Sequence, residues 1–182
     1  DAGHVPDGLH RFFAAAGFSE CFATRKVELL QYMARRNCAG DTLAPADPET
    51  YNRVRERLLE GTFRVSYADG AIGYQEGLSR MANSGLYLLN VNGTQGCAAA
   101  EYLNEDSVLV KELIIPAPAM AGAAALLARE LPAVRYHLRT PPFWDGLPGS
   151  YLQAFGMVKW YNPELEAAWR NERKGYMGLG FD

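Results

Sequence analysis

The stretch from Ser107 to Arg139 constrains this chain more than any other. Val108, Leu109 and Val110, followed by Leu113, Ile114 and Ile115, make an apolar, β-branched run of strand length. Ala117 to Leu131 is rich in Ala and Leu, and beyond it Val134, Tyr136 and Leu138 alternate with Arg135, His137 and Arg139. The order is strand, loop, helix, strand, and a helix of that length makes the two strands parallel neighbours. In such a crossover the helix N-terminus opens beside the end of the first strand, with backbone N–H groups and the positive end of its dipole facing outward. That is a place for phosphate.

The rest of the chain bounds what can be built around this unit. With 182 residues, 48% hydrophobic and 21% charged, it has enough apolar surface for one full core and an appendage, and it is not a disordered protein. The formal net charge is −3, and no cluster of Lys and Arg alternates with aromatics, which argues against a nucleic-acid partner. A mildly acidic surface suits a cationic amine. Cys21, Cys38 and Cys97 are odd in number and far apart, without metal-ligand spacing, so they read as reduced thiols in a cytoplasm. The longest uncharged run, Leu113 to Ala128, contains Pro116 and Pro118 and falls short of the ~20 residues that span a bilayer. No membrane partner is expected. No signal sequence precedes the first helix, and the chain begins at Asp1 rather than Met, which fits a longer natural protein.

Two segments share a pattern. Leu9 to Leu29 reads as a short helix stopped by Gly17 and followed by a strand, and Ser150 to Tyr161 repeats this with Gly156 at the stop. A closing element that precedes the core suggests a tandem arrangement. Residues 1–35 then read as the tail of a preceding, similar domain, packed beside the main sheet and not within it; the other reading is an ordinary N-terminal helix and hairpin. Residues 36–46, full of turn formers, read as a linker, and residues 47–182 as the domain itself. Asp47 is a fitting N-cap, with Pro48 in the first turn, for a helix whose Tyr51, Val54 and Leu58 share one face. The charges Arg53, Arg55, Glu56 and Arg57 read as its solvated surface. A second helix covers Ile72 to Met81. Leu86 to Val91, the turn at Asn92-Gly93, Cys97 to Leu103 and Val108 to Ile115 form three antiparallel strands in series. A charged amphipathic helix is expected over Pro163 to Arg173, and the apolar Tyr176 to Phe181 either closes a sheet edge or packs on a neighbour.

The order of these elements is a mixed α+β fold: two helices, an antiparallel meander, a helical crossover, a parallel strand, a short helix and a closing strand. Together with Glu112-Leu-Ile-Ile-Pro116, a short loop and Gly122-Ala-Ala124 opening an apolar helix, it resembles the acetyl-CoA-binding core of the GNAT superfamily of N-acetyltransferases. The resemblance covers about residues 47–161. It implies a parallel strand pair that splays, with the pantetheine arm of acetyl-CoA in the gap. The family's loop pattern, Arg or Gln followed by two small residues at fixed spacing, falls on Ala119, Gly122 and Ala124, so the leading side-chain donor is missing. A charge-assisted hydrogen bond contributes roughly 1.5–3 kcal/mol, and its loss weakens CoA binding about ten- to hundredfold.

The resemblance also implies a set of site residues. Leu113, Ile114 and Ile115 would bond the pantetheine, and Met120, Ala121, Gly122, Ala123 and Ala124 would cradle the pyrophosphate. Glu112 stands where many members of the family place a base, and against that stands a salt bridge to a neighbouring strand. The usual acid is a Tyr four residues before the Gly of the closing step, which is Leu152 here, with Tyr151 one residue away. Phe143, Trp144 and Asp145, just after the second parallel strand, would form a pocket for an amine with an apolar body. His137 reads as a surface residue. Two functions follow: an N-acetyltransferase acting on a small-molecule or peptide amine, or a non-catalytic domain of the same fold that shapes an acceptor site, forms a homodimer or packs on a second such domain.

Overall fold

The computed structural model of the chain describes residues 7–34, 38–169 and 173–179. Its framework is a seven-stranded sheet in the order β2-β3-β4-β5-β6-β1-β7. The strands are β1 (Ser19–Leu30), β2 (Thr42–Pro45), β3 (Leu86–Val91), β4 (Thr94–Asn104), β5 (Ser107–Ile114), β6 (Arg135–Thr140) and β7 (Tyr151–Val158). Neighbours are antiparallel except β5 and β6, the parallel pair expected from the helical crossover. The crossover helix, α4 (Ala117–Glu130), covers one face. Helices α2 (Pro48–Leu58) and α3 (Asp69–Met81) cover part of the other. A short helix α1 (Asp7–Ala15) precedes β1, and α5 (Pro163–Ala168) follows β7.

The face under α4 is apolar throughout. Val108, Val110 and Leu113 from β5 and Ile115 just beyond it meet Met120, Ala123, Leu126 and Leu127 from α4, with Tyr136 and Leu138 of β6 and Val27 and Leu29 of β1 alongside. Small Ala side chains let the helix sit close on the sheet, and each buried Leu contributes roughly 1.5–3 kcal/mol. The turn from α4 into β6 is tied by one phenol: Tyr136 Oη accepts from Ala133 N at 2.8 Å and donates to Leu131 O at 2.9 Å. The outer side of α4 is covered as well. Arg129 donates to the carbonyls of Cys38 and Asp41 at 2.8 and 3.1 Å, pinning the connection between β1 and β2 across the helix. All three cysteines are buried, and among the described residues no helix is long and apolar enough to cross a membrane.

Several sequence expectations need correction. Residues 19–30 do not pack beside the sheet: β1 lies within it, antiparallel to β6 on one side and β7 on the other, with Val27 opposite Leu138 and Lys26 opposite both Arg139 and Tyr151. The physical reason is that β1 carries its own apolar alternation into the α4 core and satisfies the otherwise open edge of β6. The linker likewise contains edge strand β2, paired with β3 from Thr42↔Asn90 to Pro45↔Tyr87; residues 35–37 lie outside the described residues. No helix precedes Gly156, because Tyr151 to Phe155 is an aromatic-bearing strand paired along β1. The charged helix at the end is shorter than expected, Pro163–Ala168, and residues 170–172 and 180–182 lie outside the described residues.

Candidate functional site

The parallel pairing of β5 and β6 runs from Ser107↔Arg135 only to Val110↔Leu138. Beyond that point the two strands part, and Lys111 to Ile114 continue bonded to β4 alone. This is the splay expected from the sequence, and three elements converge on it: α2, the loop after β6, and the segment 173–179.

On the α2 side of the opening sits a buried charged cluster. The helix begins where Asp47 Oδ1 accepts from Thr50 N at 2.8 Å, with Pro48 in its first turn. That start sets Tyr51, Val54 and Arg55 on the face that meets the sheet, a spacing of three and four residues. Glu112 of β5 points up at them. Its Oε1 accepts from Tyr51 Oη at 2.8 Å and from Arg55 Nε at 3.0 Å. Arg55 and Glu112 are both 0% exposed. Arg55 Nη1 reaches on to Glu56 Oε1 at 2.7 Å and Val65 O at 3.2 Å, and the guanidinium lies 5.0 Å from the centre of the Tyr67 ring.

The C-terminal segment closes over this cluster. Gly175 N donates to Cys21 O at 2.6 Å and Ala23 N to Gly175 O at 3.0 Å, while Tyr176 N donates to Phe63 O at 2.9 Å and Val65 N to Tyr176 O at 3.0 Å. The segment thus bridges β1 and the stretch between α2 and α3. Gly178, at φ +76°, turns directly above the pair, where a Cβ would run into Glu112 Oε2 and Arg55 Nη2. Burial and the adjacent Glu112 charge push the phenols of Tyr51 and Tyr176 and the Cys97 thiol well above their ordinary values. For Arg55, burial pulls the guanidinium down, but the charge and hydrogen bond of Glu112 outweigh it and hold it above its ordinary value. The neighbours of the carboxylate are therefore a fixed cation and neutral donors.

On the α4 side, the loop after β6 occupies the space before the helix. Gly146 lies so close to α4 that a Cβ would come within 2.7 Å of Met120 Cβ and 2.8 Å of Ala117 O. Leu147 is buried against the same helix. Trp144 packs against the core clusters on both faces of the sheet, which places it at the opening where β5 and β6 part. Its ring meets Phe143 edge-on at 5.5 Å, and Phe143 meets Tyr176 at 6.4 Å.

The expected site residues fall as follows. Leu113 and Ile115 point into the α4 core and Ile114 into the α2 core. Ala119, Gly122 and Ala124 do not form a loop, because α4 begins at Ala117 with Pro116 at the N-cap position. Of the residues expected to cradle phosphate, Met120, Gly122, Ala123 and Ala124 are buried and Ala121 faces outward. Pro118 has no N–H to offer, and the N–H of Ala119 goes to Pro116 O at 2.9 Å. Glu112 pairs with a helix rather than with a neighbouring strand. Tyr151 lies three strands away on edge strand β7, 56% exposed and beside Lys26, His137 and Arg139. Three strand spacings amount to roughly 14 Å, so the expected acid and base are not brought together. Phe143 and Trp144 are at the opening, but Asp145 turns outward, with Arg25 Nη1 at 3.7 Å. Sequence reasoning missed Arg55, placed with the solvated charges. The signal was there: residue 55 falls four after Tyr51 and one after Val54, inside the apolar stripe.

The residues present are poorly suited to acetyl-CoA: Trp144 packs on both cores beside the gap that would take its pantetheine arm, and the helix start that would take its phosphates has the loop at Gly146 against it. A base must also come within roughly 2.6–3.2 Å of the proton it abstracts, and Glu112 is sealed from any amine.

No protein-family model matches the sequence, and no curated protein matches it. Solved structures do. A GCN5-related N-acetyltransferase from Kribbella flavida aligns with TM-score 0.52 at 13% identity, over 84% of this chain and 40% of that one. One from Anabaena variabilis aligns with TM-score 0.55 at 12% identity, over 83% of this chain and 42% of that one. A conserved protein from Enterococcus faecalis aligns with TM-score 0.56 at 11% identity, over 81% and 42%. The chain thus spans about two fifths of the length of each of these relatives. With its mixed sheet, single parallel pair and crossover helix, this chain has the fold of the GNAT superfamily, the GCN5-related N-acetyltransferases.

Proposed function

We propose that this chain is a non-catalytic unit of a larger N-acetyltransferase, one that packs beside a second domain of the same fold and helps to shape its acceptor site. The transfer of an acetyl group from acetyl-CoA to an amine, in the cytoplasm, is then the work of that second domain. The observation that carries this reading is Trp144 at the strand opening, in contact with both cores. A cofactor arm laid there would have to displace a side chain on which the two faces of the sheet meet. The sealed Glu112–Arg55 pair supports the same reading, since its carboxylate is already committed to a cation and a phenol. The coverage of about two fifths of the relatives leaves length for another domain in a protein of their size.

The test is turnover by the chain itself. It would be incubated with acetyl-CoA and a panel of primary amines and amino-terminal peptides across about pH 6 to 9, and acetylated products would be sought by mass, a readout that the three protein thiols do not disturb. The expected result is no product above the protein-free control. Acetylation that depends on the chain and is lost in Glu112→Gln, with the variant still folded, would overturn the reading.

A further inference from the structure

A cleft of about 700 Å³ opens between the stretch that follows α2 and the loop that follows β6. Its volume falls in the range of small-molecule sites, which run from roughly 300 to 1,000 Å³. Two aromatic rings on different loops line it, Phe63 and Phe143, each 39% exposed. Neither ring is loose. Phe63 stacks on Phe22 at 5.3 Å and 17° and lies 6.5 Å from Trp160, whose ring in turn meets Trp169 at 5.8 Å. Phe143 is held edge-on by Trp144 and Tyr176. Leu152 of β7 adds an apolar surface, and Thr62 a hydroxyl. A flat ligand would therefore meet faces that are already ordered, and would not have to bear much of the entropy of fixing them.

The charged side chains that line the cleft among the described residues are both cationic. Arg173 and Lys174 line it, and no acidic side chain does among the described residues. Lys174 is anchored by its Nζ donating to Glu20 O at 3.0 Å, and the backbone bonds of Gly175 and Tyr176 fix the segment that carries both cations. An amine brought into this cleft would meet two like charges. A carboxylate would meet a guanidinium with the geometry for paired hydrogen bonds.

We propose that this cleft binds an anionic ligand with a flat apolar body, an aromatic carboxylate in its simplest form, with the ring system against Phe63 and Phe143 and the anion at Arg173 and Lys174. The assignment departs from the amine expected for Phe143 and its neighbours, and it does not depend on whether the chain catalyses anything. It rests on the cleft alone.

Two probes of the same shape and opposite charge decide it: naphthalene-2-carboxylate and naphthalene-2-methylamine, titrated into the chain by calorimetry at low ionic strength. The carboxylate should bind about tenfold more tightly than the amine, a difference that salt reduces. Arg173→Gln should remove that preference. Phe63→Leu and Phe143→Leu should weaken both probes by a similar factor of about five, since they trim the face and leave the charge. Melting curves of all three variants identify any that are unfolded, and Arg173, on the exposed rim, should melt with the parent. Equal affinity for the two probes, preference for the amine, no binding of either at millimolar concentration, or carboxylate binding unchanged in folded Arg173→Gln would each overturn the proposal.

Discussion

Leu113 of β5 and Ile115 just after it face α4, while Glu112 and Ile114 of the same strand face α2, and the two sides are built from different chemistry. The α4 side consists of aliphatic groups whose burial depends on area and fit. The α2 side places a carboxylate and a guanidinium, both fully buried, among two phenols and a thiol. An apolar layer tolerates small errors, because each contact is a small part of the total. A buried ion pair does not, because either partner alone is a desolvated charge. Here the carboxylate of Glu112 faces inward and holds a helix to a sheet.

The contrast predicts an order of mutational effects. Glu112→Gln should cost most, roughly 3–5 kcal/mol in urea unfolding, because it removes the buried partner of Arg55 and leaves only Glu56, at the outer end of the guanidinium, to meet its charge. The double variant Arg55→Met with Glu112→Leu should recover part of that loss, since an apolar pair of similar volume carries no charge to meet, while Tyr51 Oη and Val65 O lose the partners they had. A double variant as unstable as the single one would show that the pair is not the source of the cost. On the other side, Leu113→Ala should cost about 3 kcal/mol, through lost burial and a cavity under α4, and no second substitution at residue 55 should change that figure by more than a few tenths of a kcal/mol.

The smallest effect concerns the outer end of the charged network. Burial raises the pKa of Glu56, but hydrogen bonds from Arg64 and Ser66 and the charge of Arg55 lower it further, and the net shift is downward. A carboxylate whose folded pKa is lowered adds stability above its ordinary value of 4.5, and that stability is lost as pH falls through the lower folded value. Glu56→Gln should therefore flatten the acid limb of the stability profile below pH 4.5 and leave the shape above about pH 6 unchanged. An acid limb identical to that of the parent would remove Glu56 from the network.

The two sides also differ in how far the sequence discloses them. The crossover, the β3–β4 hairpin and the cap at Asp47 are local, and alternation, a turn pair and a capping residue are enough to place them. Tyr51 and Arg55 meet Glu112 across separations of 61 and 57 residues, and nothing near any of them announces the meeting. The place of β1 was hidden for a related reason. Its alternation marks it as a strand, but the choice of β6 and β7 as partners is made across more than a hundred residues, as in Thr24 Oγ1 donating to Thr140 O at 3.3 Å. Tyr151 to Phe155 misled through Gly156, which read as a helix stop. There the Gly instead leaves room for Phe22 and Met177, on which a Cβ would intrude. The packing of Trp144 on both cores was out of reach, since a loop aromatic that covers a core and one that lines a pocket look the same in a sequence.

The most direct measurement is a calorimetric titration of the chain with CoA. No saturable heat is expected up to about 1 mM, because Trp144 packs on both cores beside the opening between β5 and β6 and the loop at Gly146 lies against the start of α4, so a weak contact near a Kd of 1 mM, about −4 kcal/mol, is the most that surface phosphate contacts would give. A Kd at or below about 10 μM with one site per chain, lost in Gly122→Glu, would place the cofactor in the gap after all and contradict the account.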